Sequence, residues 1–420
     1  MPQIIEKKDT AITRGIKDVG VGKKGSKPLT LALAQEISAD IQSKNIPPAA
    51  LGAFLGALIL KGVTPDEKIL EKVIFPDALS KPKEIIEFFS SESPAFAKET
   101  CRQLLTGEVL DKQNALKFGD FLFSNEPGDF LRGLAASVFR VRYETTDEYS
   151  GLIESAVKTL EKPFQDPVAC DEPIIQMAEP FDGVDHSNMI TPLVGDYLQK
   201  LNFRVVHLVG RNSGPKLIYN LAEIAKQIDG TFLKSNQDIT RSKQTFGFFL
   251  HQKDLSQALD RWVDIRRQTI KRPFLSTIER FIGPMKPFIH IASAFHPPYG
   301  EKMIQICENL QLPAAIIVRN GMEGTIALPL LRPAKILASV RQSDGTYLRK
   351  EFEFVTDQFL KEKFDIEEKN VNLSLDGNVR LIKEYQSNGK TGNRHFDARV
   401  KFTCACLAEV INFVKNNCEA

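Results

Sequence analysis

RVVHLVGRNSGPKLIYNLAEIAKQI, residues 204–228, decides the fold. Arg204 to Gly210 is a short β-branched apolar run of strand length. A polar, glycine-bearing turn comes next, and from Lys216 to Ile228 apolar residues recur at helical spacing. Strand, turn and helix in that order predict one step of a βαβ unit, and such units build parallel sheets. The rhythm recurs in KPFIHIASAF (286–295) and PAAIIVRN (313–320), with the helical YGEKMIQICENL (299–310) between them. A long amphipathic helix, DLSQALDRWVDIRRQTIKR (254–272), interrupts it. EFEFVTDQFLKEKF (351–364) and FDARVKFTCACLAEVINFV (396–414) add strand and helix elements at the end.

Upstream the periodicity is helical from Leu29 to Leu160. Thr30 is placed to cap LTLALAQEISADIQ, and Pro47 and Pro48 open PPAALGAFLGALILKG, which Gly62 closes. Small residues along that helix predict close approach of another helix. Residues 52–67 and 133–148 match at a constant offset, each a small-residue helix followed by Thr-x-Asp-Glu, the start of a next helix. This predicts a partial internal repeat. Prolines 163, 167, 173 and 180 mark the crossing between domains. The expected organisation is a basic, glycine-rich arm (1–28), a helical domain (29–165) and a larger α/β domain with a mostly parallel central sheet (166–420).

Composition narrows the class. The 420 residues are 42% apolar and 26% charged with net charge +2, which describes a globular protein without a global basic field. No apolar stretch is long enough for a membrane span, and the first residues lack the pattern of a secretory signal. The six cysteines show no CxxC pair or finger spacing. In a strand, Cys404 and Cys406 would share one face, and their apolar surroundings predict packed thiols. A cytoplasmic location is the simplest expectation.

Ligands of open parallel sheets bind at the carboxyl ends of strands. Three loops qualify: 178–192, 208–217 and 318–329. The second offers Gly210, Arg211, Asn212, Ser213 and Lys216 to an anion. Of the histidines, His207 reads as a core residue, whereas His186 and His296 lie in loops. Arg261, Arg266, Arg267, Lys271 and Arg272 cluster around Trp262. Such a run is usually a solvated helix face, and becomes a phosphate-backbone track if it lines a cleft. No nucleophile elbow, P-loop or Rossmann fingerprint is present.

Residues 15–67, GIKDVGVGKKGSKPLTLALAQEISADIQSKNIPPAALGAFLGALILKGVTPDE, resemble the helical N-terminal domain of anthranilate phosphoribosyltransferase-like proteins, the glycosyltransferase family 3 fold. FLSTIERFIGPMKP (274–287) resembles that family's segment before its cleft-side strand, and 296–336 the strand–helix–strand unit that follows, with extra sequence around 75–165. The nearest resemblance is to a divergent branch that includes non-enzymatic nucleic-acid binders. The family implies a helical domain that forms a homodimer and a phosphoribosyl-pyrophosphate site in an inter-domain cleft. Its enzymes carry a GTGGD loop. Here the matching stretch is PFDGVD (180–185), with one glycine, bulky Phe181 and the carboxylates Asp182 and Asp185. Asn188 and Thr191 match the family's residues just beyond that loop. The family's Lys-His-Gly-Asn becomes Leu208-Val209-Gly210-Arg211, its anthranilate-recognising arginine falls near Ser276, and its magnesium-holding acidic pair becomes Met322-Glu323.

These departures predict a fold without anthranilate chemistry. The leading expectation is a protein that binds a phosphate-bearing polyanion, nucleic acid before others, in the inter-domain groove through Asn188, Thr191, residues 210–213, Lys216 and the 261–272 cluster. The second expectation is a phosphoribosyl or glycosyl transferase of altered specificity acting on a phosphorylated sugar, with Asp182, Asp185 and Glu323 holding magnesium. Whether the chain is an enzyme stays open at this point. No other cofactor is implied.

Overall fold

A computed structural model describes residues 10–22, 25–214, 216, 218–294, 297–368 and 372–418. The chain divides into two compact units, Met1–Thr159 with Arg261–Glu279, and Leu160–Asp260 with Arg280–Ala420.

The first unit is helical. Its first eight helices are α1 (Ala11–Val19), α2 (Leu31–Gln42), α3 (Pro48–Lys61), α4 (Pro82–Phe89), α5 (Ala95–Leu105), α6 (Lys112–Leu122), α7 (Asp129–Arg142) and α8 (Thr146–Val157). The repeat is wider than the matched sequence. α3 and α7 begin and end at the same offset of 81 residues, as do the caps Thr30 of α2 and Asp111 of α6. Both copies close with a buried glutamate. Glu67 accepts from Leu29 N at 2.9 Å and Thr64 N at 2.7 Å, and Glu148 accepts from Leu110 N at 2.9 Å and Thr145 N at 2.8 Å. Lys61 and Arg142 pair with those carboxylates in turn. Gly62 and Tyr143 end α3 and α7 with positive φ, 94° and 68°.

α3 and α7 pack face to face through glycine. A Cβ on Gly52 would lie 1.9 Å from the Phe130 carbonyl oxygen, and one on Gly133 would lie 1.9 Å from that of Ala49. Residues 49 and 130 are equivalent under the same offset. The seam therefore has the reciprocity of a two-fold interface, in which one patch meets its own copy. The extra sequence around 75–165 contains the second copy of the module.

From residue 160 the elements are β1 (Ile174–Ala178), α9 (Thr191–Lys200), β2 (Arg204–Val209), α10 (Leu221–Gln227), β3 (Thr231–Phe232), β4 (Phe248–His251), α11 (Gln252–Leu255), α12 (Gln257–Thr269), α13 (Leu275–Ile278), β5 (Ile289–Ser293), α14 (Pro297–Asn309), β6 (Ala314–Val318), β7 (Ala334–Arg341), β8 (Tyr347–Phe354), α15 (Leu375–Asn388) and α16 (Arg394–Asn417). One eight-stranded sheet has the order β3-β4-β2-β1-β5-β6-β7-β8. It is parallel from β3 to β6 and antiparallel at β7 and β8, as a mostly parallel α/β sheet was expected to be. Ile175, Met177, Val205, Ile291 and Ile316 lie on one face and share a core with Phe402, Leu407 and Val410 of α16.

Three expectations change. Within the arm expected over 1–28, Ala11–Val19 is a helix with Ile12, Ile16 and Val19 buried. Arg261–Glu279 belongs to the helical unit, not to a contiguous 166–420 domain. The cause is apolar: Trp262 is fully buried against Phe123 and Phe274, and its indole N–H donates to Leu122 O at 2.8 Å. The 396–414 segment is wholly helical, so Cys404 and Cys406 sit on α16, both still buried free thiols. His207 is a core residue as read, with Nε2 2.8 Å from Phe246 O and burial holding its pKa down at about 4.

Candidate functional site

The strand order reverses at β1, which lies between β2 and β5. Loops at the carboxyl ends beside such a switch are where open sheets hold ligands. The three expected loops, after β1, β2 and β6, do meet there.

The loop after β1 is fixed from several sides. Gly183 takes φ +76°, and a Cβ there would lie 2.4 Å from Tyr219 O. Val184 N donates to that same oxygen at 3.0 Å. Phe181, the bulky residue standing where glycine was expected, is buried against Gly210. A Cβ on Gly210 would meet its ring at 2.5 Å. Asn220 Nδ2 donates to both Phe181 O and Gly210 O. Asn378 of α15, fully buried, accepts from Met189 N and the Tyr219 hydroxyl at 2.7 Å each and donates to Met189 O at 3.0 Å.

So held, the loop turns three successive N–H groups toward one carboxylate. Asp185 N donates to Glu323 Oε2 at 3.0 Å, and His186 N and Ser187 N donate to Oε1 at 2.7 Å each. The Ser187 hydroxyl donates to Oε1 at 2.7 Å. Lys216 Nζ lies 3.3 Å from Oε2 and also donates to the Glu323 carbonyl. Burial alone would raise the Glu323 pKa. Lys216 and the 185–187 donors outweigh it and hold the carboxyl below the usual range. Glu323 itself sits at φ +52°, left-handed for a residue with a Cβ, between Gly321 and Gly324. Successive amides plus an ammonium form an anion-binding concavity, and here the anion is the chain's own.

Glu179, not singled out in the sequence, also joins two of the loops. Its carboxyl accepts from the Thr191 hydroxyl and from Ile326 N, both at 2.7 Å. Burial, opposed by those two donors, pushes its pKa up to about 7.

The remaining expected residues fall as follows. Asn188 is buried, and its Nδ2 has no hydrogen-bond partner among the described residues; Ser213 Oγ is the same. Asn212 Oδ1 accepts from Gly214 N, a local turn. Arg211 is engaged by Asp260, with Nε 3.0 Å from both carboxylate oxygens. The Asp182, Asp185 and Glu323 metal set does not assemble. No group of three or more His, Cys, Asp or Glu side chains among the described residues is spaced for a metal, and Glu323 is saturated by N–H and O–H donors. The residues thus do not fit magnesium in this conformation. His186 is exposed and contributes its backbone N–H, while His296 lies outside the described residues.

The basic cluster belongs to the helical unit and is not one exposed stripe. Arg266 is 2% exposed and pairs with Glu279 at 2.9 Å. Arg261 donates to the carbonyls of Phe123 and Ser124. It lines a pocket of about 580 Å³ with Arg132 and four acids, Glu92, Glu126, Asp129 and Asp264. Arg267 lies 3.6 Å from Asp264. Lys271 and Arg272 are half-buried, and burial followed by nearby Arg140 holds Lys271 below the usual lysine range.

No protein-family model matches the sequence. A curated protein of Aquifex aeolicus, described as uncharacterized, is 23% identical over 248 residues, 59% of this chain and 67% of that one. Anthranilate phosphoribosyltransferase from Thermus thermophilus superposes with a TM-score of 0.55 at 14% identity, covering 76% of this chain and 94% of that one. This chain has the anthranilate phosphoribosyltransferase fold. The Saccharomyces cerevisiae enzyme, solved in complex with PRPP and Mg, gives a TM-score of 0.54 at 11% identity over 77% of this chain and 98% of its own. The phosphoribosyltransferase fold is thus kept at low identity. No helix among the described residues is long and apolar enough to cross a membrane.

Proposed function

We propose that this chain is a binding protein on the phosphoribosyltransferase fold, taking a small phosphate-bearing ligand at the loops after β1, β2 and β6 without anthranilate chemistry. One observation carries the reading. Three backbone N–H groups, the Ser187 hydroxyl and the Lys216 ammonium converge on a single carboxylate group. A phosphate offers the same acceptors in tetrahedral form and with more charge. The convergence at a topological switch point supports it further.

A small phosphate ester suits this arrangement better than nucleic acid. Arg266 is interior, and acids outnumber arginines four to two in the pocket that Arg261 lines. Arg211 and Lys216 are each engaged by a carboxylate. Calorimetry of the full chain with phosphoribosyl pyrophosphate, nucleoside monophosphates and a short oligonucleotide tests the reading. Saturable binding of a small phosphate ester that is lost on K216M is expected. Oligonucleotide binding with a steep salt dependence, and none of the small esters, would reverse the preference. Phosphoribosyl transfer is the second reading, by analogy with the yeast enzyme solved with PRPP and Mg; it would need Glu323 to leave the donors described above before a metal could be held. It requires a metal-dependent heat of binding.

A further inference from the structure

The anion cradle is closed on a piece of its own chain. Glu323 reaches it from the short 3-10 turn Met322–Gly324, where it alone has a left-handed backbone with a Cβ, φ +52° and ψ 17°. Gly324 beside it has φ +88°. Every donor that turns inward from 185–187 ends on this carboxylate, and Lys216 clamps both its carboxylate and its carbonyl. Adjacent Asn188, 2% exposed, leaves its Nδ2 donor without a partner among the described residues. A buried, unsatisfied donor one residue along the chain from the filled cradle is a group that Glu323 does not satisfy and a ligand could.

We propose that Glu323 is a built-in pseudo-ligand, an acidic plug that holds the cradle in its anion-bound shape and must swing out before a phosphate enters. The inference rests on the phosphate-binding reading and adds its regulation. A phosphate that enters while Glu323 stays would face a negative charge at contact distance, so the two occupants exclude each other. The backbone at 323 supplies the motion: a change of φ and ψ at one left-handed residue, followed directly by Gly324, withdraws the carboxylate without disturbing β6. Preorganisation survives in the closed state because the plug keeps the three amides aligned.

The test is calorimetry of the full-length protein with inorganic phosphate and with pyrophosphate, comparing wild type, Glu323→Gln and Glu323→Asp. Gln keeps the shape and removes the charge; Asp keeps the charge and shortens the reach. Both variants should bind phosphate at least tenfold tighter than wild type, and adding Lys216→Met to Glu323→Gln should abolish the gain. If wild type binds phosphate esters and neither variant binds tighter, the plug is overturned and the binding function stands. If no form binds any phosphate, plug and function fall together. Should both variants fail to fold by circular dichroism, amide exchange at 185–187 in wild type decides: saturating pyrophosphate should change it, and unchanged exchange would sink the plug.

Discussion

Placing a methyl group in the α3–α7 seam, by Gly52→Ala or Gly133→Ala, has a size that the structure fixes. Each new Cβ would sit 1.9 Å from a carbonyl oxygen of the facing helix, where real Cβ contacts essentially never fall below 3.0 Å. The neighbour is backbone and cannot rotate away, so the helices must part by about 1 Å. A gap of that order forfeits a quarter to a half of the dispersion energy across it. Overpacking of this kind destabilises by about 1–3 kcal/mol, and the helix-propensity gain of Gly→Ala returns about 1 kcal/mol. The net loss expected is about 0–2 kcal/mol for each variant. Pseudo-symmetry makes a stronger demand: the two values should agree within about 0.5 kcal/mol. The double variant should lose less than the sum, because helices already parted accept the second methyl cheaply. Trp262 is the single tryptophan of the chain and is buried in this unit, so guanidinium unfolding followed by its fluorescence reads the helical unit directly. A stabilising effect of either substitution, or strictly additive losses, would refute the seam.

The other predictions concern buried polar groups. Glu179 has a folded pKa of about 7 against an ordinary value of 4.5, so the native state keeps a proton that the unfolded chain releases. Stability should fall as pH rises from about 4.5 to 7, by about 3 kcal/mol, and level off above. Glu179→Gln should flatten that slope in denaturation at pH 5 and pH 8, and equal slopes would count against it. Asn378→Ala strands Met189 N, Met189 O and the Tyr219 hydroxyl. It should lose about 2–4 kcal/mol and speed amide exchange across 184–190, while protection unchanged there would show the loop is held otherwise. Arg266→Met removes the ion pair from buried Glu279 and should lose about 3–5 kcal/mol; adding Glu279→Leu should restore most of that. If the single variant is neutral but weakens binding of an oligonucleotide, Arg266 is a contact residue after all.

Periodicity made the larger architecture legible. The β-branched run at 204–210 and the apolar spacing within 221–227 report burial on a sheet and on a helix, and both are local properties; the helix expected from Lys216 begins only at Leu221, where Asn220 caps it. The three strand-end loops were legible for the same reason, since glycines and polar residues after a strand mark its carboxyl end. The partners were not. Asn378 lies 189 residues from Met189, and nothing local distinguishes it from a surface asparagine. Glu323 reads as a metal ligand in sequence because a carboxylate is drawn the same way whether it faces a cation or a row of N–H groups. Arg266 reads as exposed because its neighbours on the helix are charged, yet its turn of helix faces Glu279. The repeat shows partly in sequence because glycine is required where backbones touch, whereas the bonds from Leu29 and Leu110 use main-chain groups that leave no residue signature.

The reciprocal seam also bears on how this protein can change. In a dimer of identical chains, every substitution at a two-fold interface is made twice, and both copies must tolerate it. Here the two copies are encoded separately, so each can drift alone. Gly62 and Tyr143 already record that freedom: the same left-handed position is glycine in one copy and tyrosine in the other. Phe123, Phe139 and Tyr149 of the second copy carry the contacts to Trp262, Phe274 and Thr277. Inheritance in tandem has let one gene hold a symmetric joint and specialise its two sides.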